Sequence, residues 1–253
     1  MVVFEAGGKE YTYPQNWHEV TLQQLIDFYA NVEPTKPQRA KRINELQGFI
    51  SDVEQRKVQH SLNYEAEYKA SVAELKDLEE GLTDAEYLTE YLPYKARYVQ
   101  HFVEGLDAMQ LHPESLEALF MQLQSIFSTL PPEKPAYSIE FEDVIYHLPV
   151  VGMRDSTLAE FIAAVKAEEY FKAVAGNDYA ALPYIIGILA RPKDEPFDIE
   201  VSKKRAVEVF SRLTMDKAWK VYFFLRTLKS NLLSFMQTFT TMEASAQSKM
   251  QVT

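Results

Sequence analysis

Residues 3–29 read VFEAGGKEYTYPQNWHEVTLQQLIDFY, and residues 139–165 read IEFEDVIYHLPVVGMRDSTLAEFIAAV, with the same order of parts. Phe4-Glu5 and Phe141-Glu142 each close a short apolar run ahead of a tight turn. Gly7-Gly8 supplies the positive φ that a two-residue hairpin loop requires, whereas Glu142-Asp143 predicts a shorter, poorer turn. Tyr11-x-x-Pro14 parallels Tyr146-x-x-Pro149, so each second strand ends at a residue unable to donate to a ladder. Thr21 with Gln24, and Thr157 with Glu160, then fit the capping box that opens a helix. Apolar residues follow at matching offsets: Leu22, Leu25, Ile26 and Tyr29 against Leu158, Phe161, Ile162 and Val165. That is one face of an amphipathic helix, twice. The competing reading is a chance likeness of two ordinary hairpin-helix units. A duplicated unit buries only one face, so each copy needs a partner.

The rest of the chain predicts helices. Residues 37–81 are polar and helix-favouring, with Ile43, Leu46, Ile50 and Val53, then Tyr64, Tyr68, Leu75 and Leu78, on a narrow stripe. This is the pattern of an exposed helical hairpin or arm broken near Ser61-Leu62-Asn63, or equally of a solvated face of a larger bundle. Helices are expected over about 84–108 and 114–129, and the three prolines of LPPEKPAYS stop the second. Asn177 or Asp178 can cap YAALPYIIGILA, whose Pro183 sits in its first turn or breaks it. Two further helices follow, about 200–213 and 215–240. The expected fold is mainly α with two short β-hairpins (α+β). It divides into a first hairpin-helix module with its arm (1–130), a Pro-rich linker (131–137), a second module with the C-terminal helices (138–242) and a polar tail (243–253).

Chemistry is hard to find. The chain has no cysteine, which removes disulfides, thiol nucleophiles and cysteine-ligated zinc together. His18, His60, His101, His112 and His147 are dispersed, and His101 with Glu104 is one helical pair where zinc wants at least three ligands. No glycine-rich phosphate loop is present. The acidic groups Asp77, Glu79, Glu80 and Glu140, Glu142, Asp143 read as solvated charge, and Asp155-Ser156-Thr157 reads as a cap rather than a nucleophile. Lys203, Lys204, Arg205 and Arg212 form the candidate anion patch, without the interleaved aromatics of a nucleic-acid site. A net charge of -11 disfavours nucleic acid and anionic lipid, no run reaches the length of a membrane span, and no secretory leader is visible. Neither catalytic residues nor a cofactor, metal or small-molecule substrate is expected.

Five short motifs carry a resemblance: W-x-E-V-T-L-x-Q-L (Trp17 to Leu25), I-L-A-R-P (Ile188 to Pro192), F-D (Phe197-Asp198), R-A-V-E-V-F-S-R-L (Arg205 to Leu213) and A-W-K-V-Y-F-F-L (Ala218 to Leu225). Their order resembles small helical proteins of the virion and tail-morphogenesis genes of bacteriophages, including phages of gut Bacteroidetes. The arm lies outside it. The resemblance implies a non-enzymatic virion component of the tail, the head-tail connector or the head, found in the virion or in the host cytoplasm during assembly. Its partners would be other phage structural proteins or further copies of itself. A tail assembly chaperone that binds transiently is the alternative, and an enzyme is the third reading. Trp219, Tyr222, Phe223, Phe224 and Leu225 project nearly all round one helix, so that segment is either central to the fold or meets a partner. Leu232, Phe235, Phe239 and Met242 continue its apolar character toward the terminus and form the candidate contact surface.

Overall fold

The computed structural model describes residues 1–56, 62–128, 136–149 and 179–224, together with 157, 159, 160, 162, 163 and 166. It is mainly helical with two separate antiparallel hairpins, β1 (Val2–Ala6) with β2 (Lys9–Tyr13) and β3 (Ser138–Phe141) with β4 (Val144–His147). Two compact units can be distinguished. One holds residues 2–13 and 31–124, and the other holds residue 1, 14–30 and 125–253. This grouping follows contact and not chain order. Of the expected linker, residues 131–135 lie outside the described residues.

The two hairpins are more alike than their sequences suggest. Both have two-residue loops, and φ is positive at both loop positions: +58° and +73° at Gly7 and Gly8, +49° and +63° at Glu142 and Asp143. The turn expected to be shorter is therefore of the same length and hand, taken without glycine. Register corrects the alignment as well. Ala6 pairs with Lys9 and Phe141 with Val144 beside the loops, so Phe4, which pairs with Tyr11, corresponds to Ile139, which pairs with Tyr146. Each hairpin closes on a buried pair ending in proline, Tyr13-Pro14 with Tyr13 the last residue of β2, and Leu148-Pro149 just after β4.

Helix α1 (Leu22–Asn31) belongs, but for its last residue, to the unit of residues 14–30 and 125–253, whereas in the unit of residues 2–13 and 31–124 a 3-10 turn (Glu33–Thr35) leads to α2 (Gln38–Arg56) and α3 (Leu62–Glu80). These two helices pack on each other as the expected arm. Its seam is narrow: Leu46, Val53 and Ser71 are buried, and Ile43, Ile50, Tyr68, Leu75 and Leu78 are half-buried. Antiparallel pairing is fixed by Arg42, whose Nε and Nη2 donate to the two Glu74 oxygens at 2.7 and 2.9 Å, and by Tyr68 donating to Glu54 at 2.8 Å. Such a seam matches the a/d spacing of a two-helix coiled coil.

Helix α4 (Asp84–Glu86) runs through a π-helical stretch (Tyr87–Tyr91) into α5 (Leu92–Phe102). Pro93 explains the widened turn, because it has no N–H to offer and its ring would strike the carbonyl four residues earlier. The helix expected to reach 108 ends at Phe102, and Gly105 takes the left-handed conformation in the following turn (φ +73°). Glu104 is thus beyond the helix, so the His101–Glu104 helical pair does not form. Tyr94, Tyr98, Phe102 and Phe120 of α5 and α6 (Pro113–Ser128) interlock in the core, with Tyr98 and Phe120 centroids 5.0 Å apart.

In the other unit, α7 (Leu182–Leu189) and α8 (Ile199–Glu208) cross closely. A Cβ at Gly187 would lie 2.5 Å from the Ser202 carbonyl oxygen and 3.3 Å from the Ala206 Cβ. Helix α7 has Ala181 at its N-cap position and Pro183 in its first turn, while Asn177 and Asp178, the expected caps, lie outside the described residues. Asp198 caps α8 by accepting from the N–H groups of Glu200 and Val201 at 2.8 and 3.2 Å. The helix expected over 200–213 ends at Glu208, after which Phe210–Arg212 form a 3-10 turn and residues 215–224 are helical (α9).

Candidate association surface

The motif residues assemble around a short piece of backbone pairing. Thr21 and Thr214 form an antiparallel bridge, in which Leu22 N–H donates to the Leu213 carbonyl and Met215 N–H donates to the Val20 carbonyl, each at 2.8 Å. Each threonine follows a 3-10 turn and precedes a helix, and the flanking Val20, Leu22, Leu213 and Met215 are fully buried. Thr21 accepts from Gln24 N–H at 3.2 Å while Gln24 Oε1 accepts from Thr21 N–H at 2.9 Å, which is the expected capping box. Thr157 and Glu160 make the same reciprocal pair, at 3.3 and 2.9 Å, and residues 159, 160, 162, 163 and 166 are helical.

Glu160 is only 2% exposed, and its second oxygen accepts from Arg191. Arg191 comes from the I-L-A-R-P motif and pairs by backbone with His147 at the end of β4, donating at 3.2 Å and accepting at 2.8 Å. A buried carboxylate, a helix cap and a strand end are thereby tied together. The inner face of the second hairpin also rests on motif residues: Tyr146 meets the Phe210 ring edge-on at 5.0 Å, and the Arg205 and Arg212 guanidinium groups lie 5.4 Å over the rings of Tyr146 and Phe141.

Helix α9 resolves the question raised by its all-round apolar sequence. One face is core: Met215, Ala218, Val221 and Phe224 are buried. The other face is aromatic and partly open, with Trp219 and Phe223 half-buried and Tyr222 37% exposed. Trp219 is the hub of this face. Its ring meets Trp17 at 6.3 Å, Tyr179 at 6.0 Å and Tyr222 at 5.2 Å, all edge-on, and stacks on Phe223 at 5.8 Å. Trp17 continues to Phe127 at 5.0 Å, and Tyr179 stacks on Tyr29 at 5.0 Å. Trp219 Nε1 is buried without a hydrogen-bond partner, which costs about 1–3 kcal/mol. Trp17, Tyr29, Phe127 and Tyr179 were missed as members because four separate elements contribute them. The available signal was residue type, since tryptophan and tyrosine favour surfaces with one apolar and one wet side.

The candidate contact residues Leu232, Phe235, Phe239 and Met242 lie outside the described residues, as do His60, Asp155 and Ser156. The basic run is neutralised in place: Lys203 pairs with Glu200 at 2.7 Å, Lys204 with Glu208 at 3.9 Å, Arg205 with Glu195 at 2.9 Å, and Arg212 with Glu142. His18 Nδ1 lies 3.0 Å from Asp216, and His101 packs edge-on against Phe102. Among the described residues, no three His, Asp or Glu side chains group closely enough to hold a metal, and no helix is long and apolar enough to cross a membrane. No protein-family model matches the chain, and no curated protein or solved structure matches it significantly.

Proposed function

We propose that this chain is a bacteriophage structural protein, a component of the tail, the head-tail connector or the head, that works by protein–protein association and not by catalysis. The observation that carries the reading is the partly open aromatic face of α9, where Tyr222 is exposed and Trp219 and Phe223 are half-buried although the opposite face already fills the core. Aromatic side chains dominate the energetics of interfaces, because they bury much area for few rotatable bonds. The motifs that suggest a phage origin support it too. Val20, Thr21, Arg191, Asp198, Phe210 and Leu213 all act as caps, bridges or core residues of one unit, so the resemblance rests on a scaffold for surfaces. Mass spectrometry of purified particles is the test. The chain at constant stoichiometry in mature particles is the expected result. Its presence in assembly intermediates alone would replace this reading with a transient assembly chaperone, and its absence from both would end the phage reading.

A further inference from the structure

The helical arm of α2 and α3 leaves its unit through two short connections, Lys36-Pro37 and Gly81-Leu82-Thr83, none of them helical. One side chain spans that base. Arg39, in the first turn of α2, donates through Nη1 to the Leu78 carbonyl at 3.1 Å, at the C-terminal end of α3. Through Nη2 it donates to both oxygens of Glu86, at 3.0 and 3.1 Å. Glu86 belongs to the next helix, where it closes a capping box with Thr83 by accepting from the Thr83 N–H at 3.2 Å. The guanidinium therefore satisfies a terminal carbonyl of one helix and a cap carboxylate of another at once. Its planar fork suits that job and an ammonium does not.

The surroundings are shaped to the guanidinium. Gly81 stands where a Cβ would come within 3.2 Å of Arg39 Nη1 and 2.8 Å of the Asp77 carbonyl oxygen. Arg39 is mostly buried, with 21% of its side chain exposed. Tyr91, in the π-helical stretch just beyond, has its hydroxyl buried without a partner, and burial pushes its phenol pKa up against the opposing pull of Arg39.

We infer that Arg39 is a latch that fixes the pose of the helical arm on the helix beginning at Asp84. Removing it frees the arm to swing about its two connections, while the arm's own seam, held by Leu46, Val53 and the Arg42–Glu74 pair, stays formed. The latch rests on the geometry of one unit and does not depend on a role in phage particles.

The absence of cysteine makes the test direct. Spin labels on Glu67→Cys, exposed on α3, and Gln100→Cys, exposed on α5, report the arm's pose in the full chain by pulsed dipolar spectroscopy. The parent is expected to give one narrow distance distribution, which Arg39→Ala and Arg39→Lys broaden by about twofold or more at unchanged helix content. Glu86→Gln is the second variant. Its amide oxygen still closes the capping box, as Gln24 does beside Thr21, but it offers no charge to the guanidinium, so it too is expected to broaden the distribution. If Arg39→Ala fails to fold, Glu86→Gln decides alone. A parent-like distribution in Glu86→Gln, or in a folded Arg39→Ala, overturns the latch.

Discussion

Thr21 and Thr214, 193 residues apart in sequence, face each other across a bridge whose two hydrogen bonds exchange under a local two-fold. Each sits between a 3-10 turn and a helix, so Trp17–Glu19, Val20 and Leu22 correspond in order to Phe210–Arg212, Leu213 and Met215. The relationship is physical before it is historical. A helix N-terminus has N–H groups to satisfy, and the residue before the cap has a free carbonyl, so two such starts laid antiparallel complete one another.

The caps can be tested separately from the bridge. Thr21→Ala and Thr157→Ala each remove one acceptor for a helix N–H and should each lower stability by about 0.5–2 kcal/mol. Denaturant melts read this. Equal effects would bear out the matching boxes, whereas a silent Thr157→Ala would show that the second helix start is held from elsewhere.

The second hairpin has room for improvement. Glu142 and Asp143 both hold positive φ, a conformation costly for residues with a Cβ, and the Glu142–Arg212 ion pair is too exposed to offset much. Replacing the two by Asn-Gly, the preferred residues for this loop, should raise stability by about 1 kcal/mol. Thermal melts of the double variant test it, and no gain would mean that the Glu142–Arg212 pair, lost in the variant, offsets the strain of the turn.

Local signals were legible and distant ones were not. Both hairpins, both threonine boxes and the arm follow from patterns within about ten residues, where capping chemistry and periodicity act. The equivalence of Phe4 with Ile139 was hidden because the Phe-Glu pair recurs at Phe141-Glu142, two positions nearer its loop, so residue type matched where register did not. The Thr21–Thr214 bridge left no trace, since a single pair of backbone bonds imposes no side-chain period. Two partners of the basic run were hidden for a related reason: Glu195 and Glu142, which neutralise Arg205 and Arg212, come from other parts of the chain.

Arg191→Ala should be among the most damaging substitutions in its unit. It leaves the Glu160 carboxylate almost fully buried and without its cation, a change worth about 3–5 kcal/mol. Glu160→Gln keeps the capping box and removes the charge, so it should cost clearly less. Equal losses in the two melts would show that the charge pair, and not the stranded carboxylate, sets the effect.

The arm should weaken in acid. The Arg42 guanidinium holds the Glu74 carboxyl below its ordinary value of 4.5, and the Thr83 N–H followed by Arg39 does the same for Glu86. Because both are depressed in the folded state, their contribution is fully present above 4.5 and is lost as pH falls from there through the folded values. Helicity followed by circular dichroism from neutral pH downward should show a loss that Glu74→Gln makes smaller. High salt should shrink the Glu74 share of it as well, since the Arg42–Glu74 pair is exposed.

The two faces of α9 should separate stability from association. Phe224 is buried against the core, with its ring 5.8 Å from Tyr137, so Phe224→Ala should cost about 3–5 kcal/mol and lower the melting temperature. Tyr222 lies on the other face and is 37% exposed, so Tyr222→Asp should leave the melt nearly unchanged while abolishing self-association or capture of a particle protein. Truncating an aromatic at the centre of an interface typically removes more than 2 kcal/mol of binding, a loss of roughly thirtyfold or more in affinity. Phe235→Asp with Phe239→Asp asks the same of the downstream segment. Loss of capture in both variants would make the contact continuous into the C-terminal segment, and loss in Tyr222→Asp alone would confine it to the aromatic face around Trp219. An unfolded Tyr222→Asp would instead assign that ring to the core, and the association surface would have to lie elsewhere.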